Sequence, residues 1–252
     1  MIALVRGISA RIADCELTHL DRTVIDLEAA RAEHAEYVSA LERLGCDMLA
    51  LPPLEPHPDC VFVEDSAVVV EELAVMTRPG ASSRHGELPT VEAALAPHRP
   101  IAQIEAPGTL DGGDVLVVGR HVHVGRGKRS NDEGIRQLGA HLEPFGYTVR
   151  GVDFDGCLHL KSACSLASSE LLLLNPDWVD PATFGDIPIH MVAPSEPHAG
   201  NVLWVGDTVI VASAFPETAA GLRARGLDVL VLDNFELAKA EGGLTCGSIL
   251  FD

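Results

Sequence analysis

Asp114-Val115-Leu116-Val117-Val118 and, two residues on, His121-Val122-His123-Val124 form a pair of apolar segments rich in β-branched residues, which predicts two strands. An amphipathic helix near Asn131 to Leu142 and a strand near Thr148 to Val152 follow. The same strand–strand–helix–strand order recurs on both sides. Upstream, a copy starts at Val61-Phe62-Val63 and runs through Ser66 to Met76. Its helix lies near Thr90 to Ala96 and its last strand at Ile101 to Ile104. Downstream, Ser162 to Ser168 and Leu171 to Leu174 open a copy with a weak helix around Pro181 to Phe184 and a strand at Ile187 to Val192. Another joins Asn201 to Val205, Thr208 to Val211, a helix near Glu217 to Arg225 and Val229 to Leu232. The last copy is split by the termini. Leu244 to Leu250 and Ile2 to Arg6 supply its strand pair, Leu27 to Leu44 its helix and Met48 to Leu51 its third strand.

Five units at a spacing of about 50 residues predict a closed radial α/β array rather than an open sheet. The split copy argues for closure, because the two ends of the chain must then pair as neighbouring strands, whereas strand–helix alternation alone also fits an open α/β sheet. Residues 1–252 are accordingly read as one domain, near the upper size for a single core. A ring also gives loops from every unit access to one central site.

The composition, 47% hydrophobic and 22% charged, is that of a globular chain. With 37 acidic against 18 basic residues, the formal net charge of -19 repels nucleic acid and anionic membranes, so neither is expected as a partner. The first residues lack a signal peptide's basic start and cleavage site, and apolar runs such as Leu171 to Leu174 are strand-sized. A cytoplasmic protein is expected. The six cysteines contain no C-x-x-C pair, and the ordinary reading of each is a small buried hydrophobe.

Four stretches carry candidate chemistry. Pro58-Asp59-Cys60-Val61-Phe62-Val63-Glu64-Asp65 places three carboxylates around an apolar run. Any one of them could simply mark a strand end, but carboxylates also accept paired, charge-assisted hydrogen bonds from a guanidinium. Asp111-Gly112-Gly113-Asp114 reads equally as a tight turn or as a backbone passing close to a ligand, with Asp114 directed inward. His159, in Leu158-His159-Leu160-Lys161-Ser162, is one of 11 histidines, structural or a base. Cys246, in Gly243-Leu244-Thr245-Cys246-Gly247, would be the nucleophile toward a cationic guanidinium carbon. Arg84 and Arg129 are scarce cations, either solvated loop charges or bidentate partners of a substrate carboxylate. No zinc-spaced His/Cys set or Gly-rich nucleotide loop is present, so neither metal nor cofactor is expected.

Taken in order, Pro58 to Asp65, Thr77 to Gly80, Leu110 to Val115, Lys128 to Asn131, Leu158 to Ser162 and Gly243 to Cys246 resemble the dimethylarginine dimethylaminohydrolases of the pentein, or guanidino-group-modifying (amidinotransferase), superfamily. The resemblance implies a five-bladed ββαβ α/β-propeller with pseudo-fivefold symmetry and a central active site. It implies a hydrolase of Nω-methylated arginines that yields citrulline and dimethylamine or methylamine through a covalent cysteine thiouronium. By the same resemblance Cys246 is the nucleophile, His159 the acid and base, and Asp114 the partner that orients the histidine. Glu64 and Asp65 lie near the guanidinium, Asp59 at the polar end of the substrate, and Arg84 and Arg129 on its α-carboxylate. Leu17, in a mobile lid at roughly Ala13 to Arg22, and Ala240 contact substrate through backbone carbonyls. The small-molecule substrate is then the partner, for a monomer or homodimer acting in arginine metabolism, whether nitrogen scavenging or nitric oxide regulation. The resting Cys246 is expected to be a neutral thiol, because nearby carboxylates disfavour a second negative charge.

Two other readings compete. One is an arginine or agmatine deiminase, although users of free arginine are expected to carry an extra helical domain and agmatine has no carboxylate for the arginines. The other is a non-catalytic binding propeller resembling translation initiation factor 6, which has no need of a Cys–His–Asp set.

Overall fold

A computed structural model describes residues 1–252, which form five three-stranded sheets arranged as blades. The first blade contains Ala67–Val69, Ala74–Met76 and Ile101–Gln103, and the second Val115–Val118, His121–Arg126 and Thr148–Asp153. The third contains Cys164–Ser168, Leu171–Leu174 and Ile189–Met191, and the fourth Leu203–Val205, Thr208–Ala212 and Asp228–Leu232. In each, the first two strands pair antiparallel and the third joins the second in parallel. The parallel step needs a crossover, which a helix or a helical turn supplies in every blade.

The fifth blade is built from both ends of the chain. Ser248–Phe251 pairs antiparallel with Ile2–Arg6, with Ile2 opposite Phe251 and Val5 opposite Ser248, and Asp47–Leu51 adds in parallel. This closes the five-bladed α/β-propeller that the repeats predict. No helix is long and apolar enough to cross a membrane.

Strand alternation explains why the middle strands are apolar on both faces. Along Thr208–Ala212 every residue is buried. Val209 and Val211 pack toward the third blade, while Ile210 and Ala212 pack toward the fifth. Apolar clusters fill all five junctions between neighbouring blades. A strand buried on both sides reads as a continuous hydrophobic run, as Leu171–Leu174 does. A sixth cluster seats the segment after the first strand. Ile8, Ile12 and Cys15 pack on Val61, Phe62, Leu237 and Ala240, holding that segment over one end of the ring.

The expected strand at Val61-Phe62-Val63 does not form. Val63–Ser66 is a single 3-10 turn, and the strand starts at Ala67. A single helical turn recurs at the mouths of three other blades, 3-10 at Gly112–Asp114 and Thr245–Gly247 and α-helical at Leu160–Ala163. A strand would send Glu64 and Asp65 to opposite faces. The turn instead buries both.

Candidate active site

These helical turns supply most of the chemistry. Cys246 lies in the turn of the fifth blade, and its Sγ accepts a hydrogen bond from the Gly243 N–H at 3.3 Å. It is the one cysteine that is not fully buried. His159 caps the turn of the third blade and is itself buried. Asp65 and Asp111 come from the first and second blades.

Of the ten residues the sequence singles out, seven line one small cavity of about 20 Å³: Asp59, Asp65, Arg84, Arg129, His159, Ala240 and Cys246. The other three stand behind it. Leu17 packs in the lid cluster. Glu64 faces a separate axial cavity of about 210 Å³ between the blades. There it accepts a charged hydrogen bond from Lys161 Nζ at 2.6 Å and one from Thr245 Oγ1 at 2.7 Å. Asp114 is fully buried, with its oxygens taken by the Leu160 N–H at 3.0 Å and the Ser130 hydroxyl at 2.6 Å.

The histidine's partner therefore differs from the expectation. His159 Nε2 sits 3.1 Å from Asp111 Oδ2 and 3.9 Å from Asp65 Oδ1. Asp114 acts one residue away, by fixing the Leu160 amide that follows the ring. The reading of Gly112-Gly113 also changes. Their backbone does pass close to something, but to protein: a Cβ on Gly113 would lie 2.6 Å from His159 Nδ1, and one on Gly112 would collide with the Glu64 carbonyl.

Arg84 is likewise committed elsewhere. It is buried and pairs with Asp65 Oδ2, donates to Glu87 Oε2 at 2.8 Å and to the Phe62 carbonyl at 2.9 Å, and reaches the Asp59 carbonyl at 3.3 Å. Little of its guanidinium is left for a ligand. Arg129 is held loosely, 3.7 Å from Asp111 and 3.3 Å from the Thr18 hydroxyl. Glu87, Ser130 and Lys161 received no role from the sequence; each acts through another side chain, and no motif announces such a position.

The electrostatics follow from this enclosure. Burial alone would lower the His159 pKa, but Asp65, the hydrogen bond to Asp111 and the charge of Asp114 outweigh it and raise it to about 9. Burial, then Glu64 and Asp65, push the Cys246 thiol well above its ordinary value. Asp65 is held at about 2, because His159 and Arg84 overcome the burial that would raise it. Burial raises Asp59 to about 6 despite Arg84 and the Glu16 amide, which donates to both of its oxygens at 3.2 Å. These shifts favour a neutral thiol at Cys246 and an imidazolium at His159, which line the same cavity. Asp65, Asp111 and His159 also bring three donor atoms within 4.8 Å of one another, but a cation there would compete with the ring proton and with Arg84.

No family model matches the chain. An N(G),N(G)-dimethylarginine dimethylaminohydrolase of Streptomyces coelicolor is 39% identical over 249 residues, spanning 98% of this chain and 95% of that protein. The chain belongs to the dimethylarginine dimethylaminohydrolase family. The enzyme of that name from Pseudomonas aeruginosa, solved as a cysteine-to-serine mutant with citrulline, superposes with a TM-score of 0.95 at 34% identity, over 99% of this chain and 98% of that one. The N-terminal domain of a cyanobacterial arginine dihydrolase shares the fold, with a TM-score of 0.89 at 20% identity over 98% of this chain and 96% of that one. At that identity the likeness shows the fold alone and does not separate methylarginine hydrolysis from arginine hydrolysis. In this dimethylarginine dimethylaminohydrolase-family chain the distinction rests on the site.

Proposed function

We propose that this chain hydrolyses Nω,Nω-dimethyl-L-arginine and Nω-methyl-L-arginine to L-citrulline and the corresponding amine, with Cys246 as the nucleophile. The observation that carries the reading is that Cys246 and His159 line one small cavity together with Asp59 and Asp65, carboxylates suited to a guanidinium. The arriving cation offsets Glu64 and Asp65 and so lowers the thiol's pKa. The Cys246 proton passes to solvent water, and Sγ bonds to the guanidinium carbon. His159 gives its proton to the departing amine as the C–N bond breaks, leaving a thiouronium on sulfur. Neutral His159 then takes one proton from water as its oxygen attacks the same carbon, and the adduct collapses with its hydroxyl proton passing to sulfur as the C–S bond breaks, giving citrulline and the Cys246 thiol.

Asp59 holds the substrate's ammonium end, with the Leu17 and Ala240 carbonyls. Arg129 holds the α-carboxylate. Its loose attachment supports that role, whereas the saturated Arg84 orients Asp65. Arg129→Met should raise KM for dimethylarginine by about 10- to 100-fold, the worth of one charge-assisted pair, with kcat changed less. Steady-state kinetics decide it, since an unchanged KM would remove Arg129 from the carboxylate site.

The activity assay is citrulline formation from dimethylarginine, with arginine and agmatine as parallel substrates. Turnover of the methylated substrate alone supports the proposal. Turnover of arginine instead keeps the mechanism and changes the substrate.

The pH profile tests the protonation states. Asp59 becomes anionic above about 6, and His159 keeps its acid proton up to about 9. The value of kcat/KM should climb through the first, hold a plateau, and fall through the second. Asp59→Asn should raise KM and flatten the acid limb. An alkaline limb near the ordinary histidine value of about 6.5 would show that His159 rests neutral.

A further inference from the structure

Glu241 is the only non-glycine residue with a left-handed backbone, at φ 60°. It stands there although Gly242 and Gly243, which tolerate that conformation freely, are its neighbours. Its side chain shows what the strain supports. The carboxylate accepts three consecutive backbone N–H groups of the lid: Thr18 at 3.0 Å, His19 at 2.5 Å and Leu20 at 2.7 Å. It also borders the cavity that holds Cys246 and His159.

Three other hydrogen bonds fasten the lid. The Glu16 amide donates to Asp59, Arg129 donates to the Thr18 hydroxyl, and the Ser83 hydroxyl donates to Glu16. Asp59 and Arg129 are the groups assigned above to the substrate's ammonium and carboxylate, so a bound substrate competes for both. The Glu241 bonds use no group that the substrate needs, so nothing in the proposed binding mode displaces them when the Asp59 and Arg129 bonds are surrendered. Glu241 also directly follows Ala240, and the amides it grips begin one residue after Leu17. One side chain thus ties together the two segments to which the proposed mechanism assigns the carbonyls that contact the substrate.

We propose that Glu241 is a positioning residue of the reaction, latching residues 18–20 over the bound substrate and setting the Leu17 and Ala240 carbonyls against its ammonium group. This rests on the functional reading above for the substrate, but not for the latch itself. Two variants test it. Glu241→Gly relieves the left-handed backbone and removes the carboxylate, so the fold should resist denaturant at least as well. Glu241→Gln keeps the length and loses the charge. Each should raise KM for dimethylarginine about tenfold or more with a smaller change in kcat. Each should also speed tryptic cleavage after the exposed Arg22 in the ligand-free protein by a similar factor. Unchanged KM and unchanged cleavage in a folded Glu241→Gly protein would overturn the proposal. If the unmodified protein fails to turn over dimethylarginine but the variants still open faster to trypsin, the latch stands and the substrate assignment falls.

Discussion

Cys246→Ser lowers dimethylarginine turnover by on the order of a thousandfold or more while leaving KM within a few-fold, because it removes the nucleophile and little else. The Sγ atom makes one hydrogen bond within the protein, from the Gly243 N–H, and a hydroxyl can accept it too. Binding groups elsewhere in the cavity are untouched. The serine hydroxyl, however, has no accessible anion near neutral pH, and no arriving cation can draw its proton off as it can a thiol's. A second readout separates nucleophilicity from bulk. Ultraviolet thiolate absorbance in the ligand-free protein should be absent at neutral pH, since burial, Glu64 and Asp65 all raise the thiol. It should appear on binding a non-hydrolysable guanidinium ligand, and never appear in Cys246→Ser. A thiolate already present in the empty site would mean that the imidazolium of His159 outweighs the carboxylates, and that the substrate is not needed to activate sulfur.

The ring was legible because its cause is periodic. Each blade needs two inner segments apolar on both faces, a crossover and a third strand, and that requirement repeats at every junction. The split fifth copy carried the most information: antiparallel pairing of Ser248–Phe251 with Ile2–Arg6 joins the two ends of the chain in one blade and closes the ring. What strand periodicity could not show is the single helical turn before the inner strand. Val61-Phe62-Val63 is apolar enough for a strand, and Phe62 and Val63 are buried as strand residues would be. The chain turns there because that arrangement lets Asp65 reach Arg84 and the Gly113 amide at the same time.

The site was legible by residue type more than by contact. Cys246, His159, Asp59, Asp65 and Arg129 do converge on one cavity. The choice between Asp111 and Asp114 was not readable, because both flank the same pair of glycines. It is settled by Ser130 and the Leu160 amide, which occupy Asp114 and leave Asp111 for the imidazole. Glu64 was displaced for a similar reason. Lys161, 97 residues and two blades further along the chain, draws it toward the axial cavity, and only the folded ring brings the two together.

Arg84→Met should destabilise the fold by about 3–5 kcal/mol, the cost of breaking a buried ion pair by removing one partner. In a chain of this size that lowers the melting temperature by roughly 6–20 °C. A ligand of the substrate carboxylate, by contrast, can be removed with little effect on stability and a large one on KM. The buried network decides between these. Without Arg84, Glu87 and Asp65 are left as neighbouring carboxylates almost out of reach of water, and the Phe62 carbonyl loses its donor. Arg84→Met combined with Glu87→Gln removes one stranded charge and should recover part of the loss, which a simple packing defect would not. The sign of the pH dependence is a further check. Asp65 is held at about 2, below the 3.8 of an unperturbed aspartate, so its contribution is complete above 3.8 and disappears as pH falls toward 2. The difference between the parent protein and Arg84→Met should therefore be largest near neutrality and shrink on acidification, as the parent loses the same pair. Denaturant titrations across that range measure it. A constant difference would assign the effect to lost side-chain packing, and an unchanged stability with a raised KM would return Arg84 to the substrate.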